Sequence, residues 1–300
     1  RPDKRGIRSG RAMTERFTFS SPDALAARIP DGAHLAIPAD RRGVSMATTR
    51  ALIRRSARDL RLVAVPTSGL QADLLIGAGA VAEIETSAVS LGEYGPAPRF
   101  GEAVEQGRIV ILDATCPAIH AGLHAAEKGI PFMPLRGILG SDLLVHRPDW
   151  TVIENPLGPV PEERPGTTAE DFADPIVILP AIRPDFALFH VPLADRAGNI
   201  WVGRNRDLIT MAHAARETLV TVEAIADHDL MADREWAAGT LSSFYVSGIA
   251  VAEKGAWPTA MPGTYEEDAE HMRRYAEQTR SGEGFAAYLE EFVFQDLSLG

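Results

Sequence analysis

The sequence predicts an α/β fold: a mostly parallel doubly wound sheet flanked by helices. Two observations predict it. Between Arg183 and Ile225 an apolar run of strand length, Phe186 to Val191, leads into turn chemistry at Asp195–Asn199 and a short strand returning to Gly203. A helix over Leu208–Arg216 that Asp207 can cap follows, then a second β-rich run at Thr218–Ile225. Buried-type strands joined through a helix run parallel in a covered sheet, with a right-handed crossover. The second observation is repetition: strand, loop and helix alternate from residue 33 to residue 91. That pattern places the loops, and normally the ligands, at the carboxyl ends of the strands.

The opening residues 1–12, RPDKRGIRSGRA, lack apolar periodicity and precede Met13, so they read as a tag or disordered leader, with residues 13–300 as one domain. Ser21 can cap a short helix through Arg28 with Pro22 at its first position, and Pro30, Asp31 and Gly32 turn the chain into a strand at Ala33–Ile37. Ser45 can cap a helix to about Arg58, whose Arg50, Arg54 and Arg58 share one face. Such a face can hold phosphates through bidentate guanidinium contacts, or lie against solvent or a neighbouring protomer. Leu62–Pro66 reads as a strand, Thr67–Gly69 as a loop, Ala72–Ile76 as a helix and Glu83–Leu91 as the next strand.

Val110–Leu112 leads as a strand to Asp113, then a helix runs to Lys128 and Gly129 stops it. A carboxylate at a strand's carboxyl end can act as an acid or base or orient a substrate, and Asp113 can equally cap the helix. Ile130–Leu135 precedes a Gly137–Leu143 loop whose Gly140, Ser141 and Asp142 suit close approach to a ligand or an ordinary turn. Asp149–Arg164 reads as an excursion and Asp174–Pro180 as a strand. His190, inside an apolar strand, reads as a core histidine, and Asp195, Gly198 and Asn199 as turn builders. An acidic helix is expected after Ile225, a strand over Phe244–Val251, and amphipathic helices over Tyr265–Gln278 and Gly284–Phe294.

A formal net charge of −11 argues against general nucleic-acid binding, although the segment to Arg61 is arginine-rich and could face anionic ligands. One cysteine, Cys116, excludes an internal disulfide framework and a thiolate-cluster metal site. No apolar run approaches 18 residues, so the expected location is the cytoplasm, without membrane contact.

The stretch carrying Ala194, Asp195, Gly198, Asn199, Ala214, Ala215, Thr218, Val220, Thr221, Val222, Glu223 and Ile225 resembles the A (alpha) chain of class I coenzyme A transferases, the glutaconate CoA-transferase branch in particular. The pattern there is A-D-x-x-G-N, a helix ending A-A-x-x-T, then V-T-V-E-x-I. Further similarity lies in SGLQADLLIGAGAV, in the segment through Gly140, Ser141, Asp142 and Leu143, and in the terminal YLEEFVF. The resemblance implies a CoA-transferase type of α/β fold and an enzyme subunit moving CoA between an acyl-CoA and a carboxylic acid. CoA would be a substrate, with no permanently bound cofactor and no metal. The nucleophilic glutamate would come from a separate B subunit, giving a hetero-oligomer of α2β2 form inactive as this chain alone.

The family likeness makes Asp113 the acid/base or orienting residue. It makes Arg41, Arg42, Ser68, Gly69, Glu93, Gly140, Ser141 and Asp142 the substrate- or CoA-binding set. Three departures stand out: Pro38–Arg42 where most relatives carry consecutive glycines, Pro96 in place of a glutamine that stabilises an oxyanion, and Trp257 in place of a histidine. They leave room for a CoA-thioester or ring-opening hydrolase of the same fold, or a non-catalytic CoA-binding scaffold.

Overall fold

A computed structural model describes residues 18–158 and 174–295; the leader expected at residues 1–12 lies outside them. Seven parallel strands form the central sheet: β1 (His34–Pro38), β2 (Leu60–Val65), β3 (Val81–Thr86), β4 (Val110–Asp113), β8 (Phe186–Asp195), β10 (Glu217–Ala226) and β12 (Gly248–Val251). Their spatial order is β12-β10-β8-β1-β2-β3-β4. Two short strands extend the sheet: β9 (Ile200–Trp201) pairs antiparallel with the far end of β8, and β11 (Thr240–Leu241) with β9. The helices are α1 (Pro22–Arg28), α2 (Met46–Arg54), α3 (Leu70–Gly77), α4 (Pro98–Glu105), α5 (Cys116–Glu127), α6 (Leu143–His146), α7 (Arg206–Ala214), α8 (Ala269–Gln278) and α9 (Gly282–Leu289).

Alternation along the strands divides the core in two, as pleating demands. Leu35, Ile37, Leu62, Leu188 and Leu219 face one cluster with α1 to α4 and the carboxyl-terminal helices. Ala36, Val63, Val65, Phe189, Val220 and Val222 face another with α5 and α7. No helix among the described residues is long and apolar enough to cross a membrane.

Several local expectations are corrected. The strand expected at Asp174–Pro180 forms as β7 (Pro175–Pro180), but in a separate antiparallel sheet that was not expected, between β5 (Phe132–Leu135) and β6 (Thr151–Glu154), and β6 arises inside the presumed excursion. No helix follows Ile225 directly. Asp195 draws in the Leu230 N–H at 3.1 Å, while Asp229 and Asp233 accept from Met231 and Glu235 at 2.9 and 2.8 Å, so carboxylates compete with helical bonding.

Ser45 precedes α2 but caps none of its N–H groups: its hydroxyl meets Thr221 at 2.8 Å and donates to the Thr48 hydroxyl at 3.1 Å, and the helix stops at Arg54. The expected basic face is divided: Arg50 is buried and donates to the Trp257 carbonyl at 2.7 Å, whereas Arg54 and Arg58 are exposed and Arg54 bonds Asp23 at 2.9 Å. Asn205, not Asp207, begins α7, and Thr115, not Asp113, caps α5 through the Ala118 N–H. The strand expected at Glu83–Leu91 ends at Thr86, whose hydroxyl turns the chain through Ala88, and Phe244–Val251 shortens to β12 because Ser242 caps a tight turn first.

Candidate functional site

At the carboxyl end of the sheet the loops after β1, β2 and β3 interlock. Asp40, two residues beyond β1, accepts the Leu70 N–H at 2.9 Å through Oδ2 and so caps α3 from another loop. Gly69 lies directly beneath it; a Cβ there would collide with that same oxygen and stand 2.6 Å from the Ser90 carbonyl. Only glycine lets the two loops close this tightly. Burial pushes the Asp40 carboxyl up to about 6, the Leu70 N–H pulls it back and Glu267 pushes it further. Asp40 Oδ1 and Ser68 Oγ are both enclosed without a hydrogen-bond partner.

Arg41 takes a left-handed backbone with φ 60°. Its guanidinium grips Glu267 through Nε and Nη2, both at 2.7 Å, and Glu93 at 2.8 Å. The Tyr94 hydroxyl donates to the same Glu267 at 2.6 Å, which holds that phenol up at about 12. Burial raises the Glu267 carboxyl, but Arg41 and Tyr94 outweigh it and leave it below the usual range. Of the two carboxylates on Arg41, Glu93 is the exposed one and Glu267 the enclosed one.

Asp113 ends β4 with an exposed side chain. Its carbonyl accepts from Arg147 Nη1 at 3.1 Å, which ties the segment after the Gly140–Asp142 loop to this strand end. Within that loop Gly140 has φ 74°, the Ser141 hydroxyl accepts the Leu143 N–H at 3.1 Å, and Asp142 is exposed. At the start of α5, Ser87 bonds the Cys116 sulfur at 3.2 Å.

The forecast residues thus fall into two groups. Arg41, Ser68, Gly69 and Glu93 gather around Asp40; Asp113, Gly140, Ser141 and Asp142 are associated through Arg147. Among the described residues no side-chain hydrogen bond or ion pair joins Arg42 to either group; with Arg41 it lines a cavity of about 400 Å³ near β9 and the start of α7. Sequence reasoning missed Asp40, Tyr94, Arg147 and Glu267, whose roles rest on partners far away in the chain. For Asp40 a signal existed: an acid directly after a strand end that opens into a loop.

His190 is fully buried, with Nδ1 2.9 Å from the Thr221 hydroxyl and Nε2 2.6 Å from Glu223. Thr221 continues to Ser45, and Gly255 and Gly43 pack against the histidine with no room for side chains. Asp195 accepts the Ala197 and Asn199 N–H groups at 2.9 and 3.0 Å and so closes the turn at Asp195–Asn199. Trp257 is held by Asp268 at 3.1 Å and by edge contact with His271 at 4.3 Å, a packing role at the carboxyl-terminal helices. Among the described residues no group of three or more His, Cys, Asp or Glu could hold a metal ion.

A family model described as Coenzyme A transferase matches residues 19–242. The chain is 30% identical over 288 residues to the A component of 3-oxoadipate CoA-transferase from Pseudomonas knackmussii, covering 94% of each. It is 28% identical over 284 residues to the A component of glutaconate CoA-transferase from Acidaminococcus fermentans, covering 91% of this chain and 86% of that one. The solved structure of that glutaconate enzyme superposes with a TM-score of 0.78 at 24% identity over 92% of this chain and 88% of that chain. A variant of the decarboxylase AibA/AibB superposes with a TM-score of 0.75 at 29% identity, covering 92% of this chain and 100% of that one. An uncharacterized Archaeoglobus fulgidus protein is 29% identical over 282 residues, 92% of this chain, which spans 59% of that protein's length.

Proposed function

This chain belongs to the coenzyme A transferase family, and on that premise we propose that it is the A (alpha) chain of a heteromeric CoA-transferase. The complex, of α2β2 form, moves CoA between an acyl-CoA and a carboxylic acid. The nucleophilic glutamate sits on a separate B subunit. CoA enters as a substrate, and no cofactor is permanently bound. The complex works in the cytoplasm, away from membrane and nucleic acid, in keeping with the net charge of −11.

One observation carries the proposal. The loops after β1, β2 and β3 close on one another around Asp40, while β4 presents the Asp113 carboxylate exposed at the same end of the sheet. That arrangement is a preorganised wall with an open carboxylate at its edge, suited to completion by a second chain.

In the proposed route the partner's glutamate attacks the thioester carbonyl, a C–O bond forms, the C–S bond breaks and CoA leaves as thiolate. The thiolate then attacks the glutamyl carbonyl of the anhydride, releasing the donor acid. The acceptor carboxylate attacks the resulting enzyme thioester and expels CoA again. CoA finally attacks the acceptor's acyl carbon and frees the glutamate, so one hard transfer becomes easier steps. On this chain, Asp113 orients the acid or exchanges its proton, Ser68 and Gly69 with the Gly140–Asp142 loop approach the pantetheine arm, and Arg41 and Arg42 meet anionic groups.

Copurification with the partner followed by an acyl-CoA transfer assay tests this. The expected result is transfer by the complex and a partner glutamate trapped as its CoA thioester. CoA transfer by this polypeptide alone would overturn it. The exposed Asp113, open to water, favours a second reading as a CoA-thioester hydrolase. That reading predicts free CoA, solvent oxygen in the product acid and no trapped glutamate.

A further inference from the structure

The cavity of about 400 Å³ beside β9 has a lining of uneven chemistry. Val191, Pro192, Trp201, Val202, Leu208 and Met261 make its walls apolar. Arg42 and Arg204, both exposed, bring charge, and among the described residues neither has a carboxylate within ion-pairing distance, in contrast to Arg41 with its two. Two such guanidiniums at one cavity in a chain of net charge −11 are a local reversal of sign.

The start of α7 adds to that field. Asn205 occupies its N-cap position without capping it, donating instead to the Arg42 carbonyl at 2.7 Å, and its Oδ1 is enclosed without a partner. The Arg206 N–H donates to the Arg204 carbonyl at 3.0 Å, and no N-cap side chain engages the amides that follow it in this nine-residue helix, which keep their partial positive charge. Asp207 in the same turn lies 4.0 Å from His120 on α5.

We propose that this cavity binds the acyl group of the substrate as an organic acid, its apolar body on Trp201, Leu208 and Met261 and a carboxylate between Arg42 and Arg204. The assignment rests on the acyl-transfer reading and names the kind of acid it serves. A nucleotide would bring a purine edge, a ribose and several phosphates against walls that offer few hydrogen bonds, leaving polar groups unpaired. An aliphatic or aromatic body with one charged end matches both the walls and the arginines.

Direct binding to the full chain, without its partner, separates this inference from the transfer reaction. Octanoate is titrated by calorimetry against 1-octanol and adenosine bisphosphate, with tryptophan fluorescence reporting Trp201 and its neighbour Trp236, 4.9 Å away. Octanoate should bind at least about tenfold more tightly than octanol, the effect of charge-assisted bonds to two arginines. The pair Arg42→Gln and Arg204→Gln should erase that preference, Arg204→Lys should retain part of it, and Trp201→Phe should remove the fluorescence change. Equal binding of octanol, no binding of octanoate, or adenosine bisphosphate competing for the site would each overturn the proposal. The last outcome would leave CoA transfer standing and place the nucleotide here instead.

Discussion

Arg147 meets Glu85 at 2.8 Å with both residues almost sealed from solvent, their side chains 3% and 11% exposed. The same guanidinium donates to Asp149 and to the Asp113 carbonyl and lies over the Trp150 ring at 4.2 Å. One side chain therefore fixes three segments: β3, the end of β4 and the chain leaving α6.

Replacing it strands a charge. In Arg147→Met, Glu85 is left buried without its cation, and the expected loss is about 3–5 kcal/mol in urea unfolding. Burial already raises the Glu85 carboxyl, with Arg147 opposing. A carboxyl raised in the folded state favours folding at low pH, so the deficit should shrink as pH falls through Glu85 protonation and grow as pH rises. Glu85→Gln in the same chain should recover much of the loss.

Gly69→Ala tests the interlocked loops separately from any charge. Its methyl would meet Asp40 and, 2.6 Å away, the Ser90 carbonyl, which is backbone and cannot swing aside. The expected cost is about 1–3 kcal/mol by thermal melting, with weaker binding of acyl-CoA to the complex. Gly79→Ala, where φ is 71° but no atom lies within 4 Å, isolates backbone strain from collision and should cost about 1 kcal/mol.

These cases show which parts were legible in the sequence. The parallel core could be read because Phe186–Val191 is an apolar run and Thr218–Ile225 a β-rich one, and the residues from Thr218 to Val222 are buried beside the first. Thr151–Glu154 was not readable: its four residues are exposed and its pairing comes from Pro175–Ile178, across the chain. Around the site, Ser68 and Gly69 announced a loop, but nothing local says that Asp40 lies on Gly69 or that Glu267 waits for Arg41 226 positions away. Arg50 misled because arginines at four-residue spacing signal an exposed face, whereas here its apolar stem and guanidinium lie against Trp257.

Asp40 supplies a pH signature. Its carboxyl is pushed up to about 6 in the folded chain against 3.8 for an ordinary aspartate. Below roughly pH 4 it is neutral in both states; between there and 6 the unfolded chain releases a proton that the folded chain keeps, so stability falls as pH rises. Asp40→Asn keeps an acceptor for the Leu70 N–H and removes this titration, worth up to about 3 kcal/mol above that window. Asp73, buried and likewise pushed up to about 6, retains its own share. Urea unfolding across the window should therefore show a reduced slope in the variant, not a flat line; an unchanged slope would contradict the assignment.

Asp113 separates chemistry from folding. Its carboxylate is exposed and, among the described residues, without a hydrogen bond or ion pair, so Asp113→Asn should leave the stability of the complex within about 0.5 kcal/mol of the parent, read from thermal melting. If the carboxylate exchanges a proton with the reacting acid, kcat falls by about a hundredfold or more while KM holds. If it only orients the acid, Asn preserves the hydrogen bond through its Oδ1 and the loss shows mainly in KM. We expect the first, because this exposed strand-end carboxylate has no hydrogen bond or ion pair among the described residues and so has both oxygens open to the arriving substrate. Steady-state kinetics of the complex decide it, and a variant with both constants unchanged would remove Asp113 from the mechanism.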